Sequence, residues 1–363
     1  MKLPKKIWWL LLFTAIIWQY LPVSVNQKAP FRAPKTQLDN RRYLAGEAER
    51  KLSKKEFLAK RILKIQQKTS NTPCIDPPTT YNEMLLFVYV EHDRLSPLTS
   101  IITNRILVRQ FIAHIIGEQH LPKLFCVADD ITQVDFSKLP NLFVIKTVNG
   151  GYGGIQVDIV DKRRMNLDAI YEKYSQAKPS PFGVPGKIIV EERLPPAPGY
   201  ASVIDYKFLC FRGKAYLVRV TVNFKQTVDY RTKNAALFTL PDFQRLPVMY
   251  DGKPLFANKK PDKLNEMIKI AERLASYFPL IRIDMYLIGD RILIGEITPF
   301  SSGGWAKFEP AAWDAMIGAM LYPPLTRSEL ALWVERDRWL VYNLLSQGVI
   351  SIQTSSSASR PHP

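Results

Sequence analysis

The chain has little of what most hydrolytic and redox chemistries require. Its four histidines, His92, His114, His120 and His362, stand far apart in 363 residues. It has no H-E-x-x-H and no G-x-S-x-G motif, which argues against a zinc peptidase and a nucleophile-elbow hydrolase. Ser301 and Ser302 precede Gly303 and Gly304 with no base nearby in sequence, a poor setting for a nucleophile. Cys74, Cys126 and Cys210 are odd in number and form no C-x-x-C pair, so reduced thiols are expected. No D-x-D pair stands out, which weakens a metal-dependent nucleotide-sugar transferase. Acids are scarce as well, 33 against 50 lysines and arginines, for a formal net charge of +17. That deficit is local. Residues 1–70 hold 16 lysines and arginines and four acids, and the remainder holds 34 and 29. The basic signal belongs to an N-terminal segment, and the body is not read as a nucleic-acid binder.

What is present begins with an apolar run over residues 7–23, with Trp8 and Trp9 at one end and Trp18 and Tyr20 at the other. It is short against the roughly 20 residues of a membrane span, and no A-x-A cleavage site follows. Residues 1–25 are therefore expected to be a single-pass membrane anchor, with a cleaved signal as the alternative. Lys28, Arg32, Lys35, Arg41 and Arg42 outnumber Lys2, Lys5 and Lys6, which favours the cytoplasmic side for the body. Residues 35–67 are basic and proline-free, a helical stalk along anionic headgroups or a plain solvated linker. The length and the 47% hydrophobic content allow two or three domains. The divisions drawn are a stalk over 26–75, a helical and α/β region over 76–141, a core over 142–325, a C-terminal helix over 326–353 and a polar tail over 354–363.

The body reads as alternating helices and strands. Helices are expected over 104–116, 162–176, 261–278 (with Pro261 at its first position), 309–321 and 328–346. Strands are expected over 124–128, 142–145, 187–190, 203–211 and 215–222. Residues 281–300 read as two apolar strands around a tight turn at Gly289, carrying Asp284 in the first and Glu296 in the second. A carboxylate in such a strand is costly unless something positive meets it. Two readings stay open: oxygen ligands of a divalent cation, or acids paired with Arg282 or Arg291. After the strand ending at Lys146, Gly150, Gly151, Gly153 and Gly154 form a glycine-rich hairpin. Its amides could approach a phosphate, with Lys146 adding a charge, or it is simply a flexible hairpin. It is not a Walker A loop, since no GK[ST] follows.

Five motifs then stand in order: FVIK ending at Lys146, the glycine-rich loop, VEERL from Val190 to Leu194, DYKFLCFRGK from Asp205 to Lys214, and RIDMY with GEIT from Arg282 to Thr298. The set resembles the ATP-grasp superfamily, and within it the teichuronopeptide-biosynthesis, TupA-like branch, over about residues 100–322. The resemblance implies an α+β ATP-grasp fold whose two lobes clasp ATP. It places Lys146 and the loop glycines on the phosphates, and Glu191, Glu192 and the backbone of Leu194 at the hinge that meets adenine and ribose. Lys207 would contact phosphate, with Asp205 orienting it or meeting the acceptor. Asp284 and Glu296 would hold Mg²⁺. Thr298 stands where the wider superfamily has asparagine, and is a weaker ligand. Arg282 becomes a phosphate or carboxylate partner rather than the neutraliser of the acids. The implied reaction is ATP-dependent joining of a saccharide or peptide carboxylate to an amine donor, in cell-surface polymer synthesis. The competing readings are a glycosyltransferase-like protein and a membrane-tethered nucleotide-binding module without turnover.

Overall fold

A computed structural model describes residues 53–69, 72–148, 158–177, 187–223, 234–251 and 259–351. Among them the apolar periodicities resolve into eight α-helices and eleven strands. In chain order these are α1 (Lys54–Thr69), α2 (Tyr81–Val88), α3 (Pro97–Thr103), α4 (Leu107–Ile116), β1 (Leu124–Ala128), β2 (Leu142–Thr147) and β3 (Asp158–Asp161). There follow α5 (Leu167–Ser175), β4 (Ile188–Glu192), β5 (Asp205–Phe211), β6 (Lys214–Val222), β7 (Asn234–Thr239) and β8 (Met249–Tyr250). The last are α6 (Leu264–Ala275), β9 (Leu280–Ile288), β10 (Arg291–Thr298), β11 (Phe308–Glu309), α7 (Ala312–Met320) and α8 (Arg327–Ser346). One sheet runs β1-β4-β2-β3 and a second β10-β9-β5-β6-β7, with every neighbouring pair antiparallel. β8 and β11 form a separate two-stranded ribbon.

The two faces of the larger sheet differ because side chains alternate along a strand. Tyr206, Phe208 and Cys210 of β5, with Ile281, Ile283 and Met285 of β9, point into a core closed by α4 and α6. Phe208 and Ile283 are wholly buried there, each worth about 1.5–3 kcal/mol relative to exposure. α6 supplies Leu264, Met267, Ile270, Ala271, Leu274 and Ala275 from one face. It starts at Leu264 with Lys263 as its cap, so Pro261 lies ahead of the helix and not at its first position. The alternate residues Asp205, Lys207 and Leu209 face the other way.

α2 begins at a capping box between Thr80 and Glu83, which satisfies free amides at both ends of the first turn. It packs Tyr81, Met84 and Leu85 against Leu217, Tyr250 and Phe308. The turn after α2 is pinned to α8 by a buried ionic cluster. His92 is wholly buried, with Nδ1 2.8 Å from Asp93 Oδ1 and Nε2 2.9 Å from Asp337 Oδ2, and the Ser96 hydroxyl donates to Asp337 as well. Burial opposes charge on His92, yet the two carboxylates prevail and raise its pKa to about 9. Among the described residues no helix is long and apolar enough to cross a membrane. The expected anchor, residues 7–23, lies outside them, as do the four loop glycines.

Candidate active site

Paired residues of an antiparallel sheet share a face, so strand register sets which side chains meet. Arg219 of β6 lies opposite Lys207 of β5, Lys207 opposite Asp284 of β9, and Asp284 opposite Glu296 of β10. A single charged row thus crosses four strands. Adjacent on the same face are Asp205 opposite Thr221, and Arg282 opposite Thr298. The row depends on one extra residue. The β9–β10 register shifts between Ile294 and Glu296, leaving Gly295 as a bulge. Were Gly295 paired in regular register instead of bulged, Glu296 would stand opposite Ile283. A Cβ on Gly295 would lie 2.7 Å from the Tyr286 ring, so the bulge has room for glycine alone.

Asp284 is buried and surrounded by cations. Arg282 Nε and Nη2 donate to Oδ1 and Oδ2 at 2.6 and 2.8 Å, and Lys207 Nζ reaches Oδ2 at 2.5 Å. Burial by itself would raise the Asp284 pKa; Arg282 and Lys207 overcome it and hold the carboxyl at about 2. Lys207 Nζ is also 2.6 Å from Asp205 Oδ2, and Arg282 Nη2 is 3.3 Å from Glu296 Oε2. The third guanidinium arm, Nη1, donates to Ser301 Oγ at 3.0 Å. Arg282 therefore meets both acids directly, as in the second of the two readings left open for them. The reason is geometric: residues 282 and 284 are two apart on one strand and must share a face.

Four atoms on this face are buried without a hydrogen-bond partner: Asp205 Oδ1, Thr221 Oγ1, Thr298 Oγ1 and Arg219 Nε. Buried polar atoms are normally satisfied, so such a concentration marks a place where a ligand completes the structure. Three of the roughly four acceptor positions of Asp284 are taken, which leaves one on Oδ1. Glu296 is 62% exposed and makes one long contact. One free position on Asp284, the accessible Glu296 and the orphan hydroxyl of Thr298 fit a hard cation that takes one or two carboxylates.

On the smaller sheet Lys146 and Glu191 meet as an ion pair, and Arg109 Nη1 joins Glu191 Oε1 at 2.9 Å. Glu192 takes Arg291 in a two-pronged contact at 2.9 and 3.1 Å, tying β4 to the head of β10. His120 Nδ1 adds a second tie 2.8 Å from the Ile292 carbonyl oxygen. The expected hinge acids are thus both held by cations, and the Leu194 carbonyl accepts from Arg193. Asp205, Lys207, Arg282, Asp284, Glu296 and Thr298 come together on one sheet face; Glu191, Glu192 and Leu194 lie on and after β4, and Lys146 meets Glu191 from the neighbouring β2. Sequence reasoning passed over Arg109, Arg219, Tyr81 and Tyr250. Arg219 could not be found by counting back from the turn at Arg212 and Gly213, because a register shift between Leu209 and Cys210 is what brings it opposite Lys207. The others arrive from distant segments and carry no local signal.

Two antiparallel sheets carry the site, one bearing a Lys–Asp–Glu row and the other a Lys–Glu pair, the arrangement expected of an ATP-grasp protein. A family model described as TupA-like ATPgrasp matches residues 86–322, and the chain belongs to that family. Among curated proteins no match is found. Among solved structures the chain is similar to the Bacillus anthracis D-alanine–D-alanine ligase complexed with ATP, at 14% identity and TM-score 0.37, covering 68% of this chain and 70% of that one. It is similar to the ATP-grasp ligase PsnB complexed with a precursor variant, Mg and ADP, at 13% identity and TM-score 0.37, covering 66% and 60%. A third is N5-carboxyaminoimidazole ribonucleotide synthetase from Thermus thermophilus, at 12% identity and TM-score 0.32, covering 55% and 45%.

Proposed function

We propose that the chain is an ATP- and Mg²⁺-dependent ligase that joins a carboxylate on a saccharide or peptide to an amine, in the assembly of a cell-surface polymer. The observation that carries this reading is the row Lys207–Asp284–Glu296, with unpartnered polar atoms on Asp205 and Thr298 beside it. Mg²⁺ would be held by Asp284 and Glu296, with Thr298 assisting, and would supply neutralisation of the terminal phosphates of ATP. Lys207 and Lys146 are the point charges for phosphate oxygens, and Arg282 steadies negative charge on the carboxylate under attack. Burial of Asp284 keeps water from weakening these interactions. Asp205 holds the Lys207 ammonium in place from its other side. The glycine hairpin after Lys146 is assigned to the triphosphate. The run at residues 7–23 and the basic charge after it extend the proposal to a body tethered on the cytoplasmic face of a membrane.

The test is ADP release by the full chain with ATP, Mg²⁺ and a panel of carboxylate and amine pairs. Release that needs both substrates and falls at least about a hundredfold in Asp284→Ala supports a ligase. Thr298→Val, which removes only an unpartnered hydroxyl, should raise the Mg²⁺ needed for half-maximal release and leave melting unchanged. ATP binding with no ADP release from any pair would make the chain a nucleotide-binding module instead.

A further inference from the structure

The charged row ends on a group that neither the phosphates nor the metal use. Arg219 lies one strand beyond Lys207, on the same face. Its guanidinium carbon sits 4.3 Å from the centroid of the Tyr250 ring. That ring is itself fixed, since Tyr250 OH and Ser302 Oγ are 2.8 Å apart. Ser302 has φ +50°, a left-handed conformation costly for a residue with a Cβ, and this turn brings its hydroxyl to the tyrosine. The nearby acids are already claimed: Asp205 by Lys207, and Asp284 by Lys207 and Arg282. Arg219 has no acidic partner among the described residues, and its Nε is buried without an acceptor. Beside it Thr221, 4% exposed, presents a hydroxyl equally without a partner. Tyr81 closes the same corner. Its hydroxyl bonds Ser301, and burial and the neighbouring Tyr250 raise its pKa against the opposing pull of Arg282 and Arg219.

A guanidinium held over an aromatic ring, with no carboxylate paired to it among the described residues, is placed to take a planar bidentate acceptor. We infer that Arg219, braced by Tyr250 and Ser302, docks a non-reacting carboxylate of one of the two substrates. This rests on the ligase reading above. Two strand spacings, about 10 Å, separate Arg219 from Asp284. The anchored carboxylate therefore sits well away from the reacting one. Two sources share that chemistry. The acyl substrate could carry a second acid, or the amine donor could be an amino acid presenting its own carboxylate.

Calorimetric titrations of the full chain, preloaded with Mg²⁺ and ADP, test this. Glutarate is compared with butyrate, and L-alanine with L-alaninamide. The wild type should bind the first member of at least one pair about tenfold more tightly than the second, as expected for one charge-assisted pair. Arg219→Met should erase that ratio while binding Mg²⁺ and ADP like the wild type, and Arg219→Lys should keep part of it. Loss of the glutarate preference assigns the site to the acyl substrate; loss of the L-alanine preference assigns it to the amine donor. No preference in the wild type, or one that Arg219→Met preserves, overturns the inference and leaves the ligase reading standing. Failure of the wild type to bind Mg²⁺ and ADP overturns both. Arg219→Met gives up the contact with Tyr250 and should lower the melting temperature by only a few degrees, so misfolding is recognised by the loss of a cooperative melting curve.

Discussion

Replacing Asp284 with asparagine tests whether the charged row is held together as drawn. The change keeps the shape and removes one negative charge that Lys207 and Arg282 approach at 2.5 and 2.6 Å. Breaking a buried pair from one side costs about 3–5 kcal/mol, because a cation is left without compensation. Here Lys207 keeps Asp205 and Arg282 keeps Glu296, so the cost falls to just below that range, about 2–3 kcal/mol. The pKa leads to the same size by another route. A carboxyl moved from 3.8 to about 2 contributes about 2 kcal/mol. For a body of this length that is a fall of roughly 3–5 °C in melting temperature. The pH dependence has a definite sign. A depressed carboxylate stabilises the fold above its unfolded pKa of 3.8, and this is lost as pH falls through about 2. Urea unfolding of wild type and Asp284→Asn at pH 7 and at steps below pH 4 should show a constant gap that closes with acid. Equal stability at pH 7 would refute an ionised, doubly paired Asp284.

Two further expectations concern the supports of the site. Gly295→Ala places a Cβ 2.7 Å from the Tyr286 ring and should destabilise by about 1–3 kcal/mol in urea melts; an unchanged midpoint would mean the bulge has spare room. His92 predicts the opposite pH window from Asp284. Its folded pKa of about 9 lies above the ordinary 6.5, so its stabilisation is complete below pH 6.5 and disappears as pH rises through 9. The imidazolium faces Asp93 and Asp337, with Arg336 Nη2 3.3 Å from Asp337 Oδ1. Stability should drop by as much as about 3 kcal/mol across that window, and His92→Gln should flatten the profile. A wild type with no fall between pH 6.5 and 9 would show that His92 is neutral.

Where the sequence is periodic the fold was legible. The hairpin of β9 and β10 and the helix α6 fall within a few residues of their expected bounds, and Arg212 and Gly213 make the turn expected between β5 and β6 with φ +46° and +76°. β7 escaped, because NAALFT is short and has no alternation of apolar with polar residues. Asp284 and Glu296 were visible as acids in apolar strands, but their facing each other was not. That depends on Gly295 adding one residue to β10, and a strand pattern read two by two contains no such step. The contact of Arg282 with Asp284 was legible, because residues two apart on one strand share a face. Arg219 was passed over because one arginine in a strand is unremarked until the strand beside it is known.

The pairings also bear on how a highly charged substrate could enter so crowded a site. Lys207 and Arg282 are shared among Asp205, Asp284 and Glu296, and Lys146 and Arg109 meet on Glu191. Each cation assigned to a phosphate or to the reacting carboxylate is therefore kept in place by a protein carboxylate beforehand. A phosphate that captures Lys207 exchanges one anion for another, and so avoids most of the cost of exposing an uncompensated charge. The exchange leaves Asp284 short of positive charge, in a buried position where that deficit is expensive. A divalent cation on Asp284 and Glu296 supplies it. The same cation arriving without phosphate meets an acid already neutralised twice over, and gains little. On the ligase reading nucleotide and metal must therefore bind with positive coupling, each raising the affinity for the other by the same factor. The origin of that coupling is the position of Arg282, two residues before Asp284 on the same strand.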